Sequence, residues 1–188
     1  VAQAPHRFTV EAYEQMGQAG LLPKRGVELV DGVVVEMSPI GDRHVYALAQ
    51  LSLAFVEQRR ARYWVMPSLS LLLGPRDMPD SDFVLSTIDR NVRRRPAPAE
   101  VILLVEISDS SLAYDLGSKR GRYARAGIAE YWVVDLVHDE LLAFTSPDRK
   151  RGTYREERRY HPPEIASPSA FPDVRIDVAQ VLGLAVGD

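Results

Sequence analysis

Apolar residues first recur at helical spacing in "FTVEAYEQMGQAG", where Phe8, Ala12, Tyr13 and Met16 share a face and Thr9 offers an N-cap, so a helix is predicted there. "VELVDGVVVEMS" reads as two β-branched runs meeting at Asp31-Gly32, a turn pair that tolerates positive φ, and predicts a hairpin. The pattern returns to helical spacing in "GDRHVYALAQLSLAFVEQRRA", which predicts a long helix over about 42–60 with Val45, Leu48, Leu51/Ser52 and Phe55 inward and a basic end. "YWVMP" and "LSLLL" read as short strands, and "MPDSDFVLS" as a turn followed by a strand opened by Asp82. "RNVRRRPAPAE" is a basic, proline-bearing loop.

The aliphatic run Val101–Val105 predicts a buried strand, with Glu106 on the face of Ile102 and Leu104. The stripe Leu112, Leu116, position 119, Tyr123 and Ala126 follows at spacings of four, three, four and three, and Gly127 stops it, so one helix is predicted over about 112–126. "AEYWVVDL" is the next strand; a strand, a helix and a strand make a crossover unit with parallel strands. Tyr131-Trp132 within it reads as core rather than as a base-stacking platform. "DELLAF" and "TYREERRY" add edge strands, "SPDRKRG" a charged turn and "RIDVAQVLG" a short last helix. The order predicts an α/β fold: one mixed sheet flanked by helices, with additional antiparallel strands.

Composition adds exclusions. The 188 residues suit a single domain over 1–188, and the absence of cysteine excludes disulfides, thiol catalysis and cysteine-ligated zinc. No apolar run reaches the length of a membrane span, and no segment reads as a signal peptide, so no membrane partner and a cytoplasmic setting are expected. A net charge of −3 gives no global argument for nucleic acid, so any such contact must use local patches such as "RRR" at 93–95 or "RKR" at 149–151.

An unpaired carboxylate at Glu106 would cost several kcal/mol on a buried face, so it must emerge into solvent, hold a proton, pair with a cation or ligate a metal. Ligand sites in open α/β sheets gather at the C-terminal ends of parallel strands, where Glu106 stands. Position 119 is a lysine inside an apolar stripe; it either snorkels outward or reaches back to Glu106, with Asp115 four residues earlier as a second partner. Asp82 opens an apolar strand, whereas Asp80 within Pro79-Asp80-Ser81 reads as a turn residue. Glu28 alternates with Val27 and Leu29 and reads equally as an outward hairpin residue or a site acid. Clustered carboxylates on strand ends bind hard cations such as Mg²⁺ or Mn²⁺, and a nearby lysine can face phosphoryl negative charge. Spacing alone does not single this chemistry out. His44 reads as a helix-start or solvent residue rather than a metal ligand, and His6, His138 and His161 as terminus or loop residues.

The blocks "VELVDGVVVEMSPIGDRH", "SDFVL", "LLVEISDSS", "DLGSKRGRYARAGIAEYWVVD" and "FPDVRIDVAQVLG" resemble, in order, those of the Uma-two family of "putative restriction endonucleases", within the PD-(D/E)xK nuclease superfamily, over about 8–183. The resemblance implies a restriction-endonuclease-like fold and a Mg²⁺ (or Mn²⁺) endonuclease acting on nucleic acid, foremost DNA. It implies Asp82 and Glu106 as metal ligands, Lys119 as a catalytic lysine displaced onto the helix, because Ser108 stands where the superfamily pattern has lysine, and Glu28 as an accessory acid. One departure is Ser81 in place of the proline before Asp82; "PD" occurs instead at Pro79-Asp80. A homodimer is a plausible partner arrangement, since one site per chain cuts two strands most simply as a pair. The competing reading is a non-catalytic interaction module on the same fold.

Overall fold

The computed structural model describes residues 5–89 and 91–184. Helix α1 (Val10–Gln18) starts at Thr9, whose side chain accepts from Ala12 N–H at 3.2 Å. The hairpin β1 (Val27–Val30) and β2 (Val33–Glu36) forms its own antiparallel sheet, turning at Asp31 and Gly32 with φ of 49° and 72°. Helix α2 (Asp42–Gln58) leads to β3 (Trp64–Ser70) and β4 (Asp80–Ser86). Then come β5 (Val101–Ser108), α3 (Leu112–Tyr114), a π-helical turn (Asp115–Lys119), α4 (Arg120–Ala126) and β6 (Glu130–Asp135). Strands β7 (Glu140–Asp148) and β8 (Thr153–Tyr160), the short pair β9 (Ile165–Ala166) and β10 (Ile176–Asp177), and α5 (Val178–Leu182) complete the chain order.

The main sheet has six strands in the order β3-β4-β5-β6-β7-β8. Only β5 and β6 are parallel, as the strand–helix–strand pattern predicts. Helices α2 and α5 cover one face, where Leu51, Phe55, Val178 and Val181 pack on Phe83, Leu103, Val105 and Trp132. On the other face Tyr123 of α4 packs on Val84, Leu104, Tyr131 and Val133, with Leu112 and Leu116 against them. Both sheet faces are covered, so the central strands are buried along nearly their whole length, and that explains why β5 and β6 read as continuous apolar runs.

Several local expectations need correction. β3 is one strand ending at Ser70, and Leu71–Leu73 continue without strand structure. β4 begins at Asp80, two residues before the predicted start, so Asp80 is a strand residue paired with Ser70. Ile102 does not share the face of Leu104. Leu85 pairs with Leu103 but Ser86 pairs with Val101, which leaves Ile102 as the extra residue of a bulge, packed on the opposite cluster. The helix expected over 112–126 is interrupted by the π turn, and Gly127 ends it in the left-handed conformation (φ 84°).

Candidate active site

The register of β4 against β5 places the acids. Val84 pairs with Leu104 and Phe83 with Val105, and Asp82 and Glu106 are the next residues on the two strands. Directly opposed residues have Cβ atoms about 5 Å apart on one sheet face. Val84 and Leu104 lie in the cluster under α4, and Glu106 meets Tyr123 of that helix where the cluster gives way to polar groups. The Asp80 carboxylate is engaged elsewhere, accepting from the Ser70 hydroxyl at 2.5 Å. An Asp82 oxygen also accepts from Ile107 N–H at 2.8 Å, which pins the aspartate to β5.

Lys119 enters from the helical side. Its Nζ donates to the Asp80 carbonyl oxygen at 2.7 Å and to Glu106 Oε1 at 3.2 Å, and lies 3.7 Å from Glu28 Oε2 and 3.8 Å from Asp115 Oδ1. It is only 6% exposed, so it does not snorkel. The π turn is what makes this geometry: the wider turn buries Asp115 and Lys119 together, four residues apart. Asp115 is held by the hydroxyls of Ser108 (2.7 Å) and Ser111 (2.6 Å).

Glu28 is buried, 1% exposed, which removes the outward hairpin reading. All four residues of β1 are buried because Leu29 bridges to Met78 and packs with Val10, drawing the hairpin onto the segment before β4. Glu28 Oε2 accepts from Asp80 N–H at 2.9 Å, and Oε1 accepts from the Tyr114 hydroxyl at 2.8 Å.

Two participants escaped the sequence reading. Tyr123 donates its hydroxyl to Glu106 Oε1 at 2.6 Å. His44 is buried and sets Nε2 3.1 Å from Asp82 Oδ1, so it is neither a solvent residue nor a helix cap. A signal was present: His44, Ala47, Leu51 and Phe55 are the buried positions of α2, at spacings of three, four and four, keeping Leu51 and Phe55 of the expected face but taking positions 44 and 47 in place of Val45 and Leu48. Val45 is exposed instead.

Electrostatics show how the cluster is balanced. Burial pushes the Glu106 carboxyl well above the ordinary glutamate range; the Lys119 charge opposes this, while Asp82 and Asp115 reinforce it. Burial likewise raises Asp115. For Lys119, burial works against the ammonium, but Glu106, Glu28 and Asp115 outweigh it and raise its pKa. His44 is also raised: burial opposes its charge, and the hydrogen bond and charge of Asp82 prevail. Glu28, Asp82, Glu106 and Asp115 thus act on Lys119, and Asp82 and Asp115 on His44, an excess of acidic groups that favours further positive charge. Lys119 and Tyr123 both use Oε1 of Glu106, which leaves Oε2 without a protein partner among the described residues. Hard oxygen donors in acidic excess, one of them uncommitted, fit a divalent cation such as Mg²⁺.

A second group, Asp135, His138 and Glu140, brings its ligand atoms within 4.8 Å of one another at the β6–β7 turn. Its acids are already engaged: Asp135 by His138 Nδ1 and two backbone N–H groups, Glu140 by Arg159 at 2.9 Å.

A mixed six-stranded sheet covered on both faces, with acids at the ends of its central strands, defines a restriction-endonuclease-like α/β fold. The chain belongs to the Uma2 family, described as "putative restriction endonuclease", whose model matches residues 10–179. The chain is similar in structure to a protein from Anabaena variabilis ATCC 29413, described as "a putative nuclease belonging to DUF820". The TM-score is 0.72 at 12% identity, over 94% of this chain and 98% of that one. At that identity the likeness speaks for the fold. No curated protein matches the sequence. Among the described residues no helix is long and apolar enough to cross a membrane.

Proposed function

We propose that this chain is a metal-dependent endonuclease that hydrolyses phosphodiester bonds in DNA, with Asp82 and Glu106 holding a Mg²⁺ or Mn²⁺ ion. The observation that carries this reading is the buried contact between Lys119 and Glu106 at 3.2 Å, within reach of the Asp82 charge. A buried ammonium among carboxylates in excess is costly to assemble for stability alone, since well-packed apolar residues are often no worse. Family membership supports the nuclease chemistry.

Bound at Asp82 and Glu106, the ion would supply a polarised phosphoryl oxygen and an acidified water. The chain's own groups then have distinct tasks. Lys119 holds positive charge where negative charge develops on the phosphoryl group, and Glu106 and the Asp80 carbonyl fix its Nζ in place. Glu28 is an accessory acid that braces Asp80 through its N–H and Lys119 through charge. His44 and Ile107 N–H orient the two oxygens of Asp82.

The test is cleavage of supercoiled and linear DNA with Mg²⁺ or Mn²⁺, beside EDTA and the Glu106→Gln variant. Metal-dependent cleavage lost in the variant supports the reading. No cleavage by the unmodified protein on any DNA or RNA would return the chain to a non-catalytic interaction module.

A further inference from the structure

The two basic segments of the chain end differently in the structure. In the loop at 93–95, Arg94 is engaged by Glu100 at 2.7 Å and Arg95 by Glu14 at 2.8 Å. In the β7–β8 turn, Arg149, Lys150 and Arg151 are exposed, and among the described residues none of their side chains forms an ion pair with a carboxylate. Asp148, the acid of that turn, accepts from the Arg151 backbone N–H at 3.1 Å and pairs with the Arg155 side chain at 3.4 Å. Arg125, exposed at the end of α4, is likewise without an acid partner.

The turn and the helix end are locked together by arginines lying on glycines. Arg125 lies across Gly152, where an added Cβ would meet its Cζ at 2.6 Å. Arg149 lies across Gly127, where a Cβ would meet its Cδ and Nε at 3.3 Å, and its Nε donates to the Arg125 carbonyl oxygen at 3.3 Å. Both glycines have positive φ, 69° and 84°. The packing concentrates four cationic side chains on one surface of a chain whose net charge is −3. Four like charges with only Asp148 beside them favour an anionic partner with repeated charges.

We propose that Arg125, Arg149, Lys150 and Arg151 form a docking surface for the phosphodiester backbone of DNA. The inference rests on the nuclease reading above and adds where the duplex is gripped. Helix α4 starts directly after Lys119 and ends at this patch. The six residues from Lys119 to Arg125 rise about 9 Å along a helix, a distance on the scale of neighbouring phosphates. Contacts of this kind position a duplex without reading its sequence.

The experiment measures binding of a fluorescent DNA duplex by anisotropy, in EDTA so that no cleavage occurs, across a range of salt. Lys150→Glu/Arg151→Glu alters the turn tip and leaves the arginine–glycine packing in place. Arg60→Glu/Arg93→Glu makes the same charge change at exposed positions elsewhere. Melting curves confirm that each variant is folded. The expected result is binding weakened by about tenfold or more in the turn variant, with the log–log salt slope reduced by about two units, and little change in the control. Equal effects of both variants, or no effect of either, would overturn the patch. Cleavage by the unmodified protein is read separately. Cleavage together with binding indifferent to the turn overturns the patch alone. No cleavage together with binding that depends on the turn supports the patch and overturns the nuclease reading.

Discussion

Lys119 Nζ lies 3.2 Å from Glu106 Oε1, although the two residues are 13 apart in sequence and sit on different elements. Both are almost fully buried, so each is the other's main compensation for lost hydration. Lys119→Met keeps much of the stem packing but leaves Glu28, Glu106 and Asp115 without their shared cation. Two effects are expected. Metal-dependent cleavage falls by about two orders of magnitude or more, and unfolding free energy in EDTA falls by about 3 kcal/mol. Adding Glu106→Gln to the methionine variant should recover part of the stability and none of the activity. Full cleavage by Lys119→Met would remove the lysine from the mechanism.

The contact between His44 and Asp82 gives a pH-dependent expectation for the metal-free protein. His44 titrates above its ordinary 6.5 because Asp82 outweighs burial. In Asp82→Asn burial is opposed only by the Asp115 charge and the Ile107 backbone hydrogen bond, so the pKa should fall from its raised value. A raised histidine contributes stability that is present below pH 6.5 and lost as pH rises through the folded value. The stability gap between the two proteins should therefore shrink with rising pH. Histidine NMR titration and urea melts at several pH values check both statements; an unchanged His44 titration in the variant would disprove the pairing.

Glu100 should titrate at about 2, well below its ordinary 4.5, because Arg94 and then Ala97 N–H bind its carboxylate. A depressed carboxylate contributes stability that is present above the ordinary value and lost as pH falls through about 2. Carbon-13 NMR of the side-chain carboxyl reads this directly. In Arg94→Gln the titration should move up toward the ordinary value.

Gly32→Ala should destabilise the fold. The residue has φ 72°, and a Cβ there would lie 2.8 Å from Arg7 Cβ and 3.0 Å from the Phe8 carbonyl oxygen. The left-handed conformation alone costs about 1–2 kcal/mol, and the backbone oxygen cannot move aside as a flexible side chain could. Because β1 carries Glu28, cleavage should fall as well. A variant that melts like the parent would show that the turn relaxes without cost.

Elements governed by local pattern were legible in the sequence. The run Val101–Val105, the stripe to Gly127 and the next apolar run gave β5, the crossover helix and β6 with the right pairing. Glu106 and Lys119 could be brought together because the helix leaves directly from the end of that strand. Contacts between distant segments were not legible. His44 reaches Asp82 from α2 on another layer, and the apolar Val45 and Leu48 next to positions 44 and 47 disguised its inward position. Glu28 alternates like a half-exposed strand residue, and its burial depends on Leu29 meeting Met78 49 residues later. The π turn and the bulge at Ile102 each insert one residue into a regular period, so a strict count of threes, fours or twos passes over them. Nor could composition separate the ion-paired arginines at 94 and 95 from the turn at 149–151, whose side chains form no ion pair among the described residues.

The delivery of the ammonium by a helical turn rather than by β5 separates two things that a linear signature treats as one. Ser108 stands two residues after Glu106, and its hydroxyl steadies Asp115, which in turn faces Lys119. A search that demands acid and lysine in fixed succession along one strand would discard this chain while the charge itself sits beside the acid. In this chain the ammonium's place beside the acid is set by how the helix folds back on the sheet and not by its count along β5.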